Sequence, residues 1–185
     1  LMSHDLFDLT DRVALVSGAA SGLGKAMATG LAEAGADLVL ADINPEGLAT
    51  TAKELAAPGR RTLPVTCDMS QPEQIRTMFE LIDEEYGRID IVGNVAGDAK
   101  RNTPLELTPD EVAYTLHNLI TGRLVCCQEA GKRMIASPNG GSIINIVSIA
   151  GINALGRNHL AYSIGMGGVA QMTRELSTEW AAKGV

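Results

Sequence analysis

The apolar positions along the chain predict strands and helices in regular alternation. An apolar run over residues 13–16 leads into a glycine-rich turn, and a second apolar run covers residues 37–41. Between them Leu23, Met27 and Leu31 recur at helical spacing, which predicts a helix with an apolar stripe. A strand, a helix and a strand in this order predict two parallel strands joined by a crossover helix.

The alternation continues through the middle of the chain. Asn44 and Pro45 predict the start of a second helix, which ends before Pro58. Its inward side chains are expected to be Leu48, Ala52, Leu55 and Ala56. A strand follows over residues 61–67, and Pro64 within it lacks the N–H that an interior strand needs. We therefore expect this strand at an edge of the sheet.

Capping-box sequences predict the starts of two further helices. Residues 70–73 begin one that Gly87 ends, and residues 108–111 begin a long one. The long helix is expected to bury Val112, Leu116, Leu119 and Ile120, with the polar Asn118 among them. Strands are predicted over residues 89–92 and 142–148.

A last helix is predicted from about residue 158 to residue 182, although glycine at 165, 167 and 168 costs about 1 kcal/mol each relative to alanine. Because strands alternate with helices throughout, we predict an α/β fold, a doubly wound parallel sheet of five strands with helices on both faces. We place residues 1–185 in one domain. Its ligand is expected outside the carboxyl ends of the strands.

The glycine-rich turn after the first strand carries the main functional signal. Gly18, Gly22 and Gly24 let the backbone approach a pyrophosphate, and the helix that begins near Ser21 points free N–H groups at negative charge. The spacing is looser than that of the commonest dinucleotide fingerprint. A turn that only packs a helix on a strand would also use such glycines.

Asp42 ends the second predicted strand, where dinucleotide-binding folds carry an acidic side chain. A carboxylate there accepts hydrogen bonds from ribose hydroxyls and repels a 2′-phosphate. Neither Ala20 nor Ile43 nor Asn44 supplies a cation that would offset the repulsion. We therefore predict NAD, rather than NADP, as the cofactor.

Composition excludes several classes of function. The formal net charge of −7 and the absence of a Lys/Arg cluster argue against nucleic acid. No apolar stretch approaches the roughly 20 residues that cross a bilayer. The cysteines, Cys67, Cys126 and Cys127, are odd in number and lack metal-ligand spacing, and the first residues do not resemble a signal peptide. We predict no metal, no membrane and a reducing, cytoplasmic location.

Ser148 and Tyr162 are the candidates for chemistry. Both are expected on the ligand side of the sheet, one after the fifth strand and one near the start of the last helix. The Ser148 hydroxyl can hydrogen-bond a carbonyl or an alcohol, and the Tyr162 phenol can pass the proton that accompanies hydride transfer. A half-buried helix tyrosine is, on its own, more often part of a core.

From about residue 7 onward the motifs resemble the Rossmann-type short-chain dehydrogenase/reductase family. Residues 17–24 are similar to its TGxxxGxG loop, and residues 94–97 to its NNAG motif. The resemblance implies that Ser148 and Tyr162 are catalytic and that Asn118 holds a water in a proton relay. It implies that Asp68 contacts the adenine ring. The first strand region is also similar to sugar-acid dehydrogenases such as gluconate 5-dehydrogenases.

The resemblance and the loop together give a set of expected cofactor contacts. This set comprises Gly18, Ser21, Gly22, Leu23, Gly24, Asp42, Ile43, Cys67, Asp68, Met69, Asn94, Val95, Ala96, Gly97 and Tyr162. Family members commonly pair the helices that here carry Asn118 and Tyr162, which implies a homo-oligomer, a dimer or a tetramer.

Two departures from the family pattern bear on activity. Met166 stands where the YxxxK motif has lysine, the residue that in the family grips the nicotinamide ribose and promotes ionisation of the tyrosine. Lys100, Arg157 or His159 could replace its charge, and Met166→Lys is expected to raise activity with little change in stability. The chain also ends where family members continue with a sixth and a seventh strand, so we expect a fragment or a partly uncovered fifth strand.

The sequence therefore predicts a NAD-dependent oxidoreductase that transfers a hydride between a secondary alcohol, such as a polyol or sugar acid, and its ketone. The alternative is a non-catalytic family member that binds NAD for a structural or regulatory purpose. A methyltransferase also uses a glycine loop and an acidic residue after its second strand. Methyl transfer, however, does not need Ser148, Tyr162 and Asn118 together.

Overall fold

A computed structural model describes residues 5–56 and 59–185, and in them a five-stranded sheet has the order β3-β2-β1-β4-β5. All four pairings are parallel. The strands are β1 (Val13–Ser17), β2 (Asp37–Asp42), β3 (Thr62–Thr66), β4 (Ile91–Asn94) and β5 (Ser142–Asn145). The predicted doubly wound parallel sheet is confirmed, and β3, which contains Pro64, is an edge strand as expected.

The helices follow the strands in the predicted order. They are α1 (Gly22–Glu33), α2 (Pro45–Leu55), α3 (Pro72–Tyr86), α4 (Pro109–Leu116), α5 (Gly122–Ala136) and α6 (Leu160–Trp180). Short 3-10 turns occur at Asp5–Phe7, Ile149–Gly151 and Ala181–Lys183. Among the described residues, no helix combines the length and the apolar character that crossing a bilayer requires.

The core lies on both faces of the sheet because successive strand residues point to opposite sides. Leu15 of β1 packs with Phe79 and Met134, on the face covered by α3 and α5. Its neighbour Val16 packs with Ala28 and Leu48, on the face covered by α1 and α2. Full burial of one such side chain stabilises the fold by about 1.5–3 kcal/mol. The cleft at the carboxyl ends of the strands is thus built on a rigid double layer.

Several predicted boundaries were wrong, for local reasons. The fifth strand ends at Asn145 rather than at Ser148, because Ser148 instead caps the following 3-10 turn by accepting a hydrogen bond from the Ala150 N–H at 3.2 Å. The capping box at residues 70–73 does not form, since Gln71 is the N-cap and Pro72 begins the helix. The capping box of Thr108 and Glu111 is confirmed.

Two apolar residues predicted to face inward do not. Leu23 is 70% exposed and borders the cleft, so the stripe of α1 begins only at Met27. Ala56 follows the end of α2 and is exposed. Pro58, the predicted stop of α2, lies outside the described residues.

The predicted long helix is α4 and α5 joined by a π-helical turn over His117–Thr121. A π turn adds a residue to the helical repeat and is frequent at functional sites. Helix α6 packs closely against it, because a Cβ at Gly165 would lie 2.7 Å from Leu119 and one at Gly168 would lie 2.7 Å from Ile120. The glycines that disfavour a helix here allow two helices to touch.

Candidate active site

A cleft of about 390 Å³ opens at the carboxyl ends of β1, β2 and β4, where the sequence analysis expects the ligand. Most of the predicted cofactor contacts line it. They are Gly18, Ser21, Gly22, Leu23, Gly24, Asp42, Ile43, Cys67, Asp68, Met69, Val95, Ala96 and Gly97. Asn118 lines the cleft as well, together with Ser70 and Asp98, which sequence reasoning did not single out.

The glycine-rich turn forms a cradle that side chains would fill. Gly18 has a φ of +71° and faces the backbone of Ala96, where a Cβ would lie 3.3 Å from the Ala96 nitrogen. A Cβ at Gly24 would lie 2.1 Å from the Gly18 carbonyl oxygen, so only glycine fits. Gly22, with a φ of +53°, has open space beside it. The turn thus leaves room next to the first residue of α1.

Asp42 is held in place by the turn that it faces. Its Oδ2 accepts a hydrogen bond from the Ala20 N–H at 3.0 Å, and its Oδ1 accepts one from the Asn44 N–H at 3.0 Å. Each carboxylate oxygen has a second acceptor position. The Asp42 carboxylate can therefore accept hydrogen bonds from a ligand's hydroxyl groups while it orders the loop.

The far side of the cleft is formed by Cys67, Asp68 and Met69, which directly follow β3. Asp68 Oδ1 accepts a hydrogen bond from the Ser70 N–H at 2.8 Å, and Gln74 accepts one from the Asp68 N–H at 2.8 Å. Burial, reinforced by the Asp68 charge, raises the pKa of the Cys67 thiol to about 11. Cys67 is thus a neutral wall of the cleft at physiological pH.

Ser17 joins the two halves of the cleft floor. Its buried hydroxyl oxygen accepts hydrogen bonds from the Val95 N–H at 3.0 Å and the Ala96 N–H at 3.1 Å. It therefore ties the end of β1 to the loop after β4. Asn94, expected among the cofactor contacts, instead points away from the cleft lining and donates to Asn145 Oδ1 at 3.0 Å. Its role is to link β4 to β5.

The candidate reaction centre lies where α6 and the 3-10 turn after Ser148 pack together. A Cβ on Gly151, in this turn, would lie 2.7 Å from the Met166 backbone, one helical turn after Tyr162. Tyr162 is half-buried, and its ring is 5.9 Å from that of His159. Asn118 donates to the Tyr114 carbonyl at 3.0 Å. Within the described residues, no hydrogen bond joins the Ser148, Tyr162 and Asn118 side chains.

Two of the three residues proposed as substitutes for the missing lysine are exposed, and the third, His159, lies beside Tyr162. Lys100 is exposed, with its Nζ 4.4 Å from the centre of the Tyr114 ring. Arg157 is exposed in the loop before α6. His159 occupies the N-cap position of α6 without a side-chain capping hydrogen bond, and its buried Nδ1 has no hydrogen-bond partner among the described residues.

Sequence reasoning missed Arg123, which is 4% exposed. Its Nη2 donates to the Val95 carbonyl and the Ala96 carbonyl, each at 3.1 Å, and its Nη1 is 3.9 Å from the Met166 sulfur. The signal was a cation in the apolar helical stripe, four residues after Leu119 and four before Cys127.

The cleft residues fit a nicotinamide dinucleotide. The glycine cradle can accept a pyrophosphate, Asp42 can accept hydrogen bonds from a ribose, and Asp68 can face an adenine ring. Three or more His, Cys, Asp or Glu side chains do not converge anywhere in the described parts of the chain as a metal site would require.

The family profile described as short chain dehydrogenase matches residues 12–185. The D-threitol dehydrogenase of Mycolicibacterium smegmatis is 36% identical over 97% of this chain and 68% of its own length. An NAD-dependent glycerol dehydrogenase of Listeria innocua is 37% identical over 95% of this chain and 67% of its own. The 2-dehydro-3-deoxy-D-gluconate 5-dehydrogenase of Escherichia coli is 36% identical over 95% and 68%.

Solved structures agree with these relatives. A short-chain type dehydrogenase/reductase from Mycobacterium marinum superimposes with a TM-score of 0.93 at 32% identity, over all of this chain and 75% of its own. The family and the sugar-acid dehydrogenase likeness expected from the motifs are confirmed. The chain therefore belongs to the short-chain dehydrogenase/reductase family of oxidoreductases.

Proposed function

We propose that the protein is a NAD-dependent dehydrogenase that interconverts a secondary alcohol and its ketone. The observation that carries the cofactor assignment is Asp42, a carboxylate on the cleft wall that two backbone N–H groups fix in place. Its charge disfavours a 2′-phosphate. The name of the glycerol dehydrogenase relative, which includes NAD, supports the same cofactor.

When bound, NAD⁺ supplies the hydride acceptor. In the direction of alcohol oxidation, Tyr162 as phenolate takes the alcohol O–H proton while the carbon–hydrogen bond breaks and the carbonyl forms. Among the described residues, the Ser148 hydroxyl accepts one hydrogen bond, from the Ala150 N–H, so its own O–H can donate to the reacting oxygen. Asn118 lies on the cleft wall and can hold the water that exchanges the proton with solvent.

A polyol or a sugar acid is the proposed substrate. Relatives at 36–37% identity are named as dehydrogenases of threitol, glycerol and a dehydrodeoxygluconate. All of these compounds carry several hydroxyl groups. The second candidate function is NAD binding without turnover, and the observation that favours it is Met166 at the lysine position.

Equilibrium binding tests the cofactor assignment. NAD should bind at least about tenfold more tightly than NADP, a difference of about 1.4 kcal/mol. Asp42→Asn removes the charge and keeps an oxygen that can accept a hydrogen bond from the Ala20 N–H. It should therefore reduce the difference between the dissociation constants of NAD and NADP. Equal dissociation constants for NAD and NADP in the unaltered protein would refute the assignment.

Turnover tests the reaction. Polyols, sugar acids and simple secondary alcohols are offered with NAD⁺, and NADH formation is followed. Tyr162→Phe, which keeps the ring and removes the hydroxyl, should abolish turnover and leave NAD binding within about twofold. NAD binding without turnover on any substrate would favour the non-catalytic alternative.

We also propose a cytoplasmic location, since Cys67, Cys126 and Cys127 are all buried and free. Burial raises the pKa of the Cys126 thiol well above its ordinary value. Thiols kept reduced are typical of that compartment. Fractionation of cells that produce the protein would test this.

A further inference from the structure

Arg123 is a buried cation without a counter-ion. It forms no salt bridge within the part of the chain that the structure describes, and its Nε–H lacks a partner. Its remaining contacts are the Val95 and Ala96 carbonyls and the Met166 sulfur. Burial of an unpaired charge is strongly unfavourable. A negative charge that forms beside Arg123 would therefore be stabilised by it.

Two elements bring Arg123 to the reaction centre. It is the second residue of α5, directly after the π turn that packs on the glycines of α6. Its Nη1 is 3.9 Å from the sulfur of Met166, which is 4% exposed and lies one turn after Tyr162. Its Nη2 binds two carbonyls of the cleft wall. The guanidinium thus lies between the cofactor cleft and the helix of Tyr162.

Tyr162 can supply the missing negative charge. Burial lowers the pKa of Arg123, and electrostatic interactions with Tyr162 and then with Cys127 act in the opposite direction. Arg123 and Tyr162 therefore lie close enough for a charge on one side chain to act on the other. Guanidinium remains protonated in proteins, so this charge is permanent.

We propose that Arg123 on α5 supplies the positive charge that Met166 does not, and holds Tyr162 ready as phenolate to accept the substrate proton. The proposal rests on the proposed dehydrogenase function. Arg123 exchanges no proton itself: the proton passes from the alcohol oxygen to the Tyr162 oxygen, and the hydride passes to NAD⁺. It is a positioning residue that acts through Tyr162.

The other titratable groups near Arg123 and Tyr162 do not carry a permanent positive charge. His159 faces the Tyr162 ring from the start of α6, with the two ring centres 5.9 Å apart. Cys127 faces Arg123 from α5, and burial raises the pKa of its thiol to about 11, so it stays neutral. Arg123 therefore supplies the permanent positive charge near Tyr162.

Four proteins test the proposal: the unaltered chain, Arg123→Met, Met166→Lys, and the double variant that carries both substitutions and so moves the positive charge from α5 to α6. Arg123→Met should reduce kcat at neutral pH on the order of 10²-fold, the range of a lost acid–base contribution. The rise of activity with pH should also move to higher pH. The double variant should recover kcat to within about tenfold, because the charge returns from α6.

Met166→Lys alone should lower the melting temperature, since it puts a second cation beside Arg123, and should not raise kcat. This replaces the expectation from sequence that a lysine there would raise activity. In the Arg123→Met background the same substitution should not lower the melting temperature. This thermal cycle needs no turnover, so it tests the charge site even if the dehydrogenase proposal fails. Met166→Leu is the control for loss of the sulfur.

Three results would overturn the proposal. One is an Arg123→Met protein with unaltered kcat and pH profile. Another is a Met166→Lys protein several-fold more active than the unaltered chain, which would mean that the charge was missing. The third is a folded double variant that binds NAD but recovers no activity. In that case the role of Arg123 would be limited to its hydrogen bonds with the cleft wall. If Arg123→Met does not fold, Met166→Lys and the double variant still decide.

Discussion

At the scale of single residues, the cleft depends on polar side chains that bind backbone rather than ligand. Ser17 is the clearest case, because one buried hydroxyl oxygen accepts two N–H groups of the loop after β4. Removal of such an acceptor leaves buried donors unsatisfied, at a cost of about 1–3 kcal/mol each. The shape of the cleft wall therefore rests partly on a residue beneath it.

Ser17→Ala should lower the free energy of unfolding by about 2 kcal/mol, because the Val95 and Ala96 N–H groups lose their acceptor. NAD affinity should fall with it, since both residues line the cleft. Ser17→Thr keeps the hydroxyl and is the matched control. Denaturant unfolding and NAD titration measure the two effects. Equal stability of the alanine and threonine variants would contradict this account.

The position of a residue in the fold could be predicted from sequence where a motif fixes it. The glycines of the turn and Asp42 could be predicted because spacing and strand ends fix where they lie. Arg123 could not be predicted in this way, because the role proposed for it depends on its contact with Met166 of α6. The hydrogen bond from Asn94 to Asn145 could not be predicted either, because the two residues are 51 positions apart.

At the scale of elements, the close contact between α6 and the π turn positions the helix that carries Tyr162. Hydrophobic spacing predicted α4, α5 and α6, but it could not predict the π turn, because one added residue shifts the helical repeat without leaving a motif. The low helix propensity of glycine also argued against a helix over α6. The structure explains the glycines, because they allow α6 and the π turn to pack closely.

Gly165→Ala should destabilise the protein, because its Cβ would lie 2.7 Å from Leu119 Cδ1 in a packed interface. Overpacking costs about 1–3 kcal/mol, against about 1 kcal/mol gained in helix propensity. Gly30→Ala in α1 is the control, since nothing lies within 4 Å of its Cβ, and it should stabilise. Thermal unfolding of both variants distinguishes packing from propensity.

At the scale of the whole molecule, the two ends of the sheet have different tasks. The carboxyl ends of the strands form the cleft, and the opposite end holds a charge cluster around Asp90. Asp90 accepts hydrogen bonds from Arg88, Arg12 and the Val13 N–H. Burial alone would raise the pKa of Asp90, but these donors together hold it below its ordinary value.

Because the folded state lowers the pKa of Asp90, its stabilisation is present above the ordinary carboxyl range near pH 4 and is lost as the pH falls below it. Asp90→Asn should lower the free energy of unfolding at pH 7 by about 2 kcal/mol and flatten its dependence on acid pH. NAD affinity should not change, since Asp90 is remote from the cleft. Asp83→Asn, which breaks a more exposed pair with Arg133, should cost less than about 1 kcal/mol.

The exposed apolar surface at β5 favours association between copies of the protein. Within the described residues, β5 lies at an edge of the sheet, and apolar side chains on it and after it are exposed, among them Ile144, Val147, Ile149 and Ile152. Exposed edges and apolar patches favour association. We expect self-association at micromolar concentration, weakened by Ile152→Lys. A monodisperse monomer in sedimentation of the unaltered chain would contradict the expectation.

The double attachment of Asp42 limits how cofactor choice can evolve. An exchange that admits a 2′-phosphate has to discard the carboxylate charge, and a side chain with one acceptor oxygen, such as asparagine, can then satisfy only one of the Ala20 and Asn44 N–H groups. A descendant that favours NADP would need a cation for the phosphate and also a new acceptor for the loop. Libraries that vary position 42 alone should yield proteins that bind both cofactors poorly, and a change of preference should require paired substitutions at 42 and in the glycine-rich turn.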